Sequence, residues 1–198
     1  MIPAHRFEEQ SRNREAWLEA RRFGVTATEV ARAATPAGFK QALAARHGFG
    51  EEITVTSAMQ FGLDQEPKIM RVVKFIHGVL PNDWLISSET DWRYLATPDG
   101  LSVDHQRIAE VKTGSNSEYA TKIPIHYRRQ MQWQLFVTGA KECVYAYMLR
   151  VDDPWGVCSP AWVQPKITIV PRDEAMISGL VRVADQLLIA ANDMELAA

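Results

Sequence analysis

Apolar side chains recur along this chain with two spacings. Residues 13–22 (NREAWLEARR) and 25–34 (VTATEVARAA) repeat them every three or four positions, the period of a helix face. Asn13 is a candidate cap for the first helix. Thr26 or Thr28 is a candidate cap for the second, with Glu29 in its first turn. GFKQALAARHG predicts a third helix that stops at Gly48. Over 57–78 the apolar positions 69, 72, 73 and 76 form a stripe ending at Gly78, and Pro67 predicts a new helix start or a kink. β-rich pieces follow near 84–88, 92–97 and 107–113, with Pro98-Asp99-Gly100 as a turn. Residues 125–139 predict a helix ending at Gly139. Strands near 142–151 and 166–170 flank a loop containing Pro and Gly, and a final helix starts at Glu174. The expectation is one domain over 1–198: a helical part (1–78), a sheet core (79–170) and a C-terminal helix (171–198). Its class is mixed α/β with a small central sheet.

Composition narrows this little. A chain of 198 residues is long enough for a proper core, and 46% hydrophobic with 23% charged residues is ordinary for a globular protein. The net charge of −2 argues against a protein basic all over. The charge is uneven, however. Residues 101–150 hold seven Lys/Arg against four Asp/Glu, and 151–198 hold three against seven, so a polyanion is expected near the middle of the chain. Cys143 and Cys158 supply neither a disulfide framework nor four thiolates for a zinc or iron–sulfur site. No apolar run has membrane-span length, and the first residues lack the apolar core of a signal peptide, so the expected location is cytoplasmic.

The stretch YLATPDGLSVDHQRIAEVKTG (94–114) carries the candidate chemistry. A strand sends residues i and i+2 the same way, so Glu110 and Lys112 point together while Val111 points opposite. Asp99 precedes them in the Pro-Asp-Gly bend. Two carboxylates converging at a sheet end make a hard oxygen site suited to Mg²⁺, which acidifies water and offsets charge on a phosphoryl group. A lysine beside the ion can orient the water, help deprotonate it or stabilise the transition state. Taken singly, Glu-x-Lys on a strand is usually a solvated face and Pro-Asp-Gly a simple turn.

The flanking segments change those odds. GVTATEV (24–30) behind Arg21 and Arg22, FGLDQEP (61–67), ATPDGL, EVK and IPIHYRRQMQWQLFVTG follow in this order. Together they resemble the phage lambda-type exonucleases, the YqaJ-like viral recombinase group of the PD-(D/E)xK nuclease superfamily, over roughly residues 14–150. The resemblance implies a restriction-endonuclease-like core, a mixed sheet flanked by helices. It implies that Asp99 and Glu110 bind metal, that the Val111 carbonyl assists, and that Lys112 is the catalytic lysine. Glu66 would hold a metal-bound water, with Asp64 as the competing acid; Pro67 favours Glu66 by fixing it at a helix start near the positive end of the dipole. Tyr127 and Gln130 would flank the site. They share a helix face with Gln134, although Gln132 and Gln134 read better as the ordinary polar side of an amphipathic helix. An arginine with Thr26 and Thr28 would hold a 5′-phosphate; Arg22 has the better spacing and Arg21 stands beside it. Arg128 and Arg129 are candidate contacts to backbone phosphates.

The implied function is a Mg²⁺-dependent (alternatively Mn²⁺-dependent) 5′→3′ exonuclease. It would act on one strand of duplex DNA from 5′-phosphorylated ends, releasing mononucleotides and leaving 3′ tails for recombination. The resemblance also implies a homotrimeric ring, a phage or prophage setting and a single-strand annealing protein as partner. Two alternatives stay open: an endonuclease of the restriction or repair type with the same metal site, and a catalytically inactive DNA-binding scaffold. No GxxxxGK, Gly-x-Ser-x-Gly or His-Glu-x-x-His pattern occurs, so ATP-driven translocation, serine hydrolysis and zinc proteolysis are not encoded. The histidines at 5, 47, 77, 105 and 126 are scattered. Trp17, Trp84, Trp92 and Trp133 fall in periodic segments and are expected in the core.

Overall fold

The computed structural model describes residues 2, 6–47, 49 and 54–197, with the side chains of the last helix described to residue 192. Gly48, the expected helix stop, lies outside the described residues. In chain order the elements are β1 (Phe7–Gln10), α1 (Arg14–Arg22), β2 (Val25–Thr26), α2 (Ala27–Ala33), α3 (Pro36–Arg46), α4 (Ser57–His77), β3 (Val79–Pro81), β4 (Trp84–Ser87), β5 (Tyr94–Ala96) and β6 (Gly100–Ser102). They continue with β7 (Arg107–Gly114), a 3-10 turn (Ser117–Ala120), α5 (Ile125–Thr138), β8 (Glu142–Asp152), β9 (Cys158–Pro160), β10 (Lys166–Pro171) and α6 (Glu174–Ala197).

The main sheet runs β10-β8-β7-β6-β3, with β9 on the far part of β8. Only β7 and β8 are parallel, joined through α5, and the other pairs are antiparallel, which makes the sheet mixed. Strand β7 is its spine, and the alternation of its side chains explains the layering. Ile108 packs into the larger core with Met131, Trp133 and Leu135 of α5 and Leu180, Ala184 and Leu187 of α6. Ala109 and Val111, pointing the other way, pack under Phe61, Ile69, Met70 and Val73 of α4. Fully burying a side chain such as Ile69 is worth about 1.5–3 kcal/mol, so both faces hold the sheet between helices. The expected α/β core of a mixed sheet flanked by helices is the one observed.

A smaller sheet, β1-β4-β5-β2, lies beside it. Its parallel β2–β5 pair sets Val25 opposite Tyr94 and Thr26 opposite Leu95. Gly24 allows this approach: a Cβ there would stand 2.3 Å from Leu95 Cδ1 and 2.6 Å from the Arg93 carbonyl. Strands β1, β2, β3, β6 and β9, each of four residues or fewer, were not expected; such short pieces show no alternation of their own.

Three expectations need correcting. Helix α4 runs unbroken from Ser57 to His77 with Pro67 inside it, so Glu66 lies mid-helix and not at a dipole's positive end. The apolar stripe under α4 (Phe61, Ile69, Met70, Val73) holds the helix together across the N–H that Pro67 lacks. The Pro98-Asp99-Gly100 bend passes the chain from β5 in one sheet to β6 in the other. The hairpin is β6–β7, with Gly100 opposite Ala109. Trp92 is 61% exposed, whereas Trp17 and Trp133 are buried and Trp84 half-buried. Asn13 does precede α1, but its side chain makes no capping bond; Thr26 is the N-cap of α2.

Candidate active site

Sheet register builds the centre of the site. With Gly100 paired to Ala109, Asp99 arrives beside Glu110, and its Oδ2 accepts the Val111 N–H at 2.6 Å. Asn82 fixes the bend from outside: its N–H donates to the Asp99 carbonyl at 3.0 Å and its Nδ2 to the Pro98 carbonyl at 2.9 Å. Glu110 and Lys112 project together from β7, as the two-residue period requires. Lys112 Nζ lies 2.5 Å from Glu110 Oε1 and 5.3 Å from the centre of the Tyr127 ring. Glu110 is 1% exposed and the Lys112 side chain 22%.

Helix α5 supplies the other partners of Glu110. Gln130 Nε2 donates to Oε1 at 2.6 Å and Gln134 Nε2 donates to Oε2 at 2.7 Å. Gln134 thus belongs to the site, contrary to its reading as an ordinary polar position, because the helix face it shares with Gln130 is turned onto β7. Gln132 is buried rather than on an ordinary polar face: it bridges to the Pro171 carbonyl and the Asp173 N–H, tying α5 to the start of α6.

A cavity of ≈ 320 Å³ joins these groups to the N-terminal helices. Its lining includes Glu66, Asp99, Glu110, Val111, Lys112, Gln130 and Gln134 together with Trp17, Arg21, Thr26 and Thr28. Of the two candidate arginines, Arg21 is in the cavity, its guanidinium carbon 3.9 Å from the centre of the Trp17 ring. Burial lowers the pKa of Arg21, with the charge of Glu29 opposing. Arg22 points elsewhere, with its side chain 70% exposed and 3.9 Å from Glu19. One residue is 100° of helix, and Trp17, four positions before Arg21, marks the inward face.

The Thr26–Thr28 segment is braced by a residue the sequence did not point to. Arg46 of α3 donates to Glu29 Oε1 at 2.6 Å and Oε2 at 2.8 Å, and also to the Gly24 carbonyl. Glu29 in turn receives the Thr26 N–H at 3.4 Å. Arg128 is exposed and Arg129 half-buried, and neither lines the cavity; Asp64 is exposed and bonded to Gln60.

The electrostatics are those of too many acids for one base. The Asp99 carboxyl is pushed well above its usual pKa of 3.8, first by burial and then by the Glu110 charge. Glu66 rises for the same two reasons in the same order. Burial alone would lower Lys112, but Glu110 and Asp99 outweigh it and its pKa rises. Among the described residues no three His, Cys, Asp or Glu side chains form a single metal-holding group. The donor set nonetheless fits a hard divalent ion. Three carboxylates face one ammonium, all donors are oxygens, and a +2 charge would relieve the repulsion that raises Asp99 and Glu66.

The fold is thus a mixed sheet between helices, with an acid–acid–lysine cavity at the spine strand. A family model described as the YqaJ-like viral recombinase domain matches residues 16–141, more than half of the chain, and the protein belongs to that family. Its structure is similar to that of an alkaline exonuclease (LHK-Exo) from Laribacter hongkongensis, with 26% identity over 91% of this chain and 93% of that one and a TM-score of 0.70. The same enzyme in complex with dAMP gives 0.71 with the same identity and coverage. A phage related exonuclease from Haemophilus somnus 129PT is 12% identical and shares the fold, with a TM-score of 0.66 over 88% of this chain and 96% of that one. Comparison with curated proteins gives no match. Among the described residues no helix is long and apolar enough to cross a membrane.

Proposed function

We propose that this protein is a divalent-metal-dependent exonuclease that degrades one strand of duplex DNA 5′→3′ from 5′-phosphorylated ends, leaving 3′ single-stranded tails. One observation carries the reading: Asp99, Glu110 and Lys112 line the same cavity as Arg21, Thr26 and Thr28. Family membership and the likeness to an alkaline exonuclease support it. Asp99, Glu110 and the Val111 carbonyl would hold Mg²⁺ or Mn²⁺, and Glu66 would act through water. The bound ion would supply a more acidic water and offset negative charge at the scissile phosphate.

The protein's own groups do the rest. Glu110 holds the Lys112 ammonium beside the acids, where it assists deprotonation of the water or offsets the developing phosphoryl charge. Gln130 fixes Glu110 Oε1, and Tyr127 backs Lys112 with its ring face. Arg21, with the hydroxyls and amides of the Thr26–Thr28 segment, holds the terminal phosphate a fixed distance from the acids, so that cleavage follows one end inward. A single nuclease domain, a ring of three chains, action in the cytoplasm of a bacterial host and a single-strand annealing partner belong to the same proposal and rest on family membership.

Digestion of 5′-phosphorylated linear duplex tests it. Mononucleotide release should require Mg²⁺, stop with EDTA, return when Mg²⁺ is restored in excess, and spare closed circular DNA. Cutting of circles would make the protein an endonuclease instead, and binding without any hydrolysis would make it a scaffold.

A further inference from the structure

The two oxygens of Glu110 are not equivalent. Oε1 already receives two donors, Lys112 Nζ at 2.5 Å and Gln130 Nε2 at 2.6 Å. Oε2 receives one, Gln134 Nε2 at 2.7 Å. A carboxylate oxygen has room for about two such partners, so Oε2 is the oxygen with a lone pair left to offer. Gln134 itself is 1% exposed, lines the cavity, and has a second peculiarity: its Oε1 is buried with no hydrogen-bond donor among the described residues. Which amide atom is which follows from the chemistry, because a carboxylate only accepts and the NH₂ must face it. The carbonyl is therefore directed away from Glu110 and left without a partner, at a cost that buried polar groups rarely bear.

We infer that Gln134 is a positioning residue for the divalent ion. Its NH₂ locks Glu110 so that Oε2, not Oε1, meets the ion, and its free carbonyl accepts a hydrogen bond from a water on that ion. The inference rests on the metal-dependent reading above and extends it to a residue whose sequence position had not suggested a role. The division of labour on α5 then becomes clear. Gln130 and Lys112 occupy one oxygen and keep it out of coordination; Gln134, one helical turn on, orients the other.

Calorimetric titration of the DNA-free protein with Mg²⁺ tests this, using Gln134→Met, a close match in length that neither donates nor accepts strongly, with Gln134→Leu as a second variant. Loss of a side chain that orients a metal ligand commonly weakens ion binding roughly 10–100-fold, and that is the expected rise in Kd for both variants. The Mg²⁺ concentration for half-maximal DNA hydrolysis should rise by the same factor, with KM for DNA unchanged and the rate recovering at saturating Mg²⁺. A purely structural residue would instead lower the melting temperature and leave the Mg²⁺ dependence where it was. Wild-type Kd in both variants overturns the inference and leaves the nuclease reading intact. Absence of Mg²⁺ binding by the wild type overturns both.

Discussion

The cavity has two ends, and they are built on opposite plans. At the β7 end Asp99, Glu110 and Lys112 already have partners within the chain: Glu110 is held by Lys112, Gln130 and Gln134, and Asp99 by the Val111 N–H. At the α1–α2 end the donors outnumber the acceptors. Among the described residues the buried indole N–H of Trp17 has no partner, and Arg21 lies on that ring. The first end has an excess of negative charge and suits a cation; the second has unused donors and suits an anion. Complementary halves of one cavity are what a phosphodiester substrate with a bound metal requires, and a single-purpose cation site would have no use for the second half.

Replacing a residue at each end separates the two plans, and the largest effect is expected at the acid end. Lys112→Ala should lower hydrolysis by about 10²–10⁴-fold, the usual scale for loss of a positioned proton-handling or charge-stabilising group, while DNA binding by gel shift changes only a few-fold. Digestion at the wild-type rate would remove Lys112 from the site. At the other end, Arg21→Ala should reduce the preference for 5′-phosphate over 5′-hydroxyl ends by about 10-fold, the worth of one charge-assisted hydrogen bond. Arg22→Ala should leave that preference unchanged, since Arg22 faces away from the cavity. The reverse ranking of the two arginines would show that the cradle is misassigned.

The smallest effect is in stability without metal. Asp99 and Glu66 have pKa values raised in the folded chain, so the folded state binds more protons than the unfolded one above the ordinary values of 3.8 and 4.5. The stabilisation is complete below those values and is lost as pH rises through the raised ones. In EDTA the melting temperature should therefore fall as pH rises from about 4 until both acids are ionised, and Asp99→Asn should flatten the curve. A melting temperature that climbs over that interval would contradict the burial-driven rise.

The acid end was far more legible in the sequence than the cradle, for a physical reason. Glu110 and Lys112 are related by the two-residue period of a single strand, so their convergence is a local fact. Asp99 joins them through a hairpin register only a few residues long. Gln134 shares a helix face with Gln130, and that much was visible; that the face turns onto β7 is decided by Met131, Trp133 and Leu135 packing into the larger core. Arg21 and Arg22 differ only in helical phase, which Trp17 settles once its burial is known. Arg46 reaches Glu29 across 17 residues, and β2 is two residues long; neither leaves a periodic trace. Pro67 misled because its local rule is strong, yet the packing beneath α4 overrides it.

Strand β7 has one further consequence. Along its eight positions Ile108, Glu110 and Lys112 take the face turned to α5, and Ala109 and Val111 take the face under α4. A slip of one position against β8 would carry Glu110 and Lys112 under α4 and turn Ala109 and Val111 toward α5. The hydrophobic layers therefore proofread the alignment of the reactive groups: a molecule paired out of step loses its cohesion together with its chemistry, and no well-folded but misaligned form is left to persist.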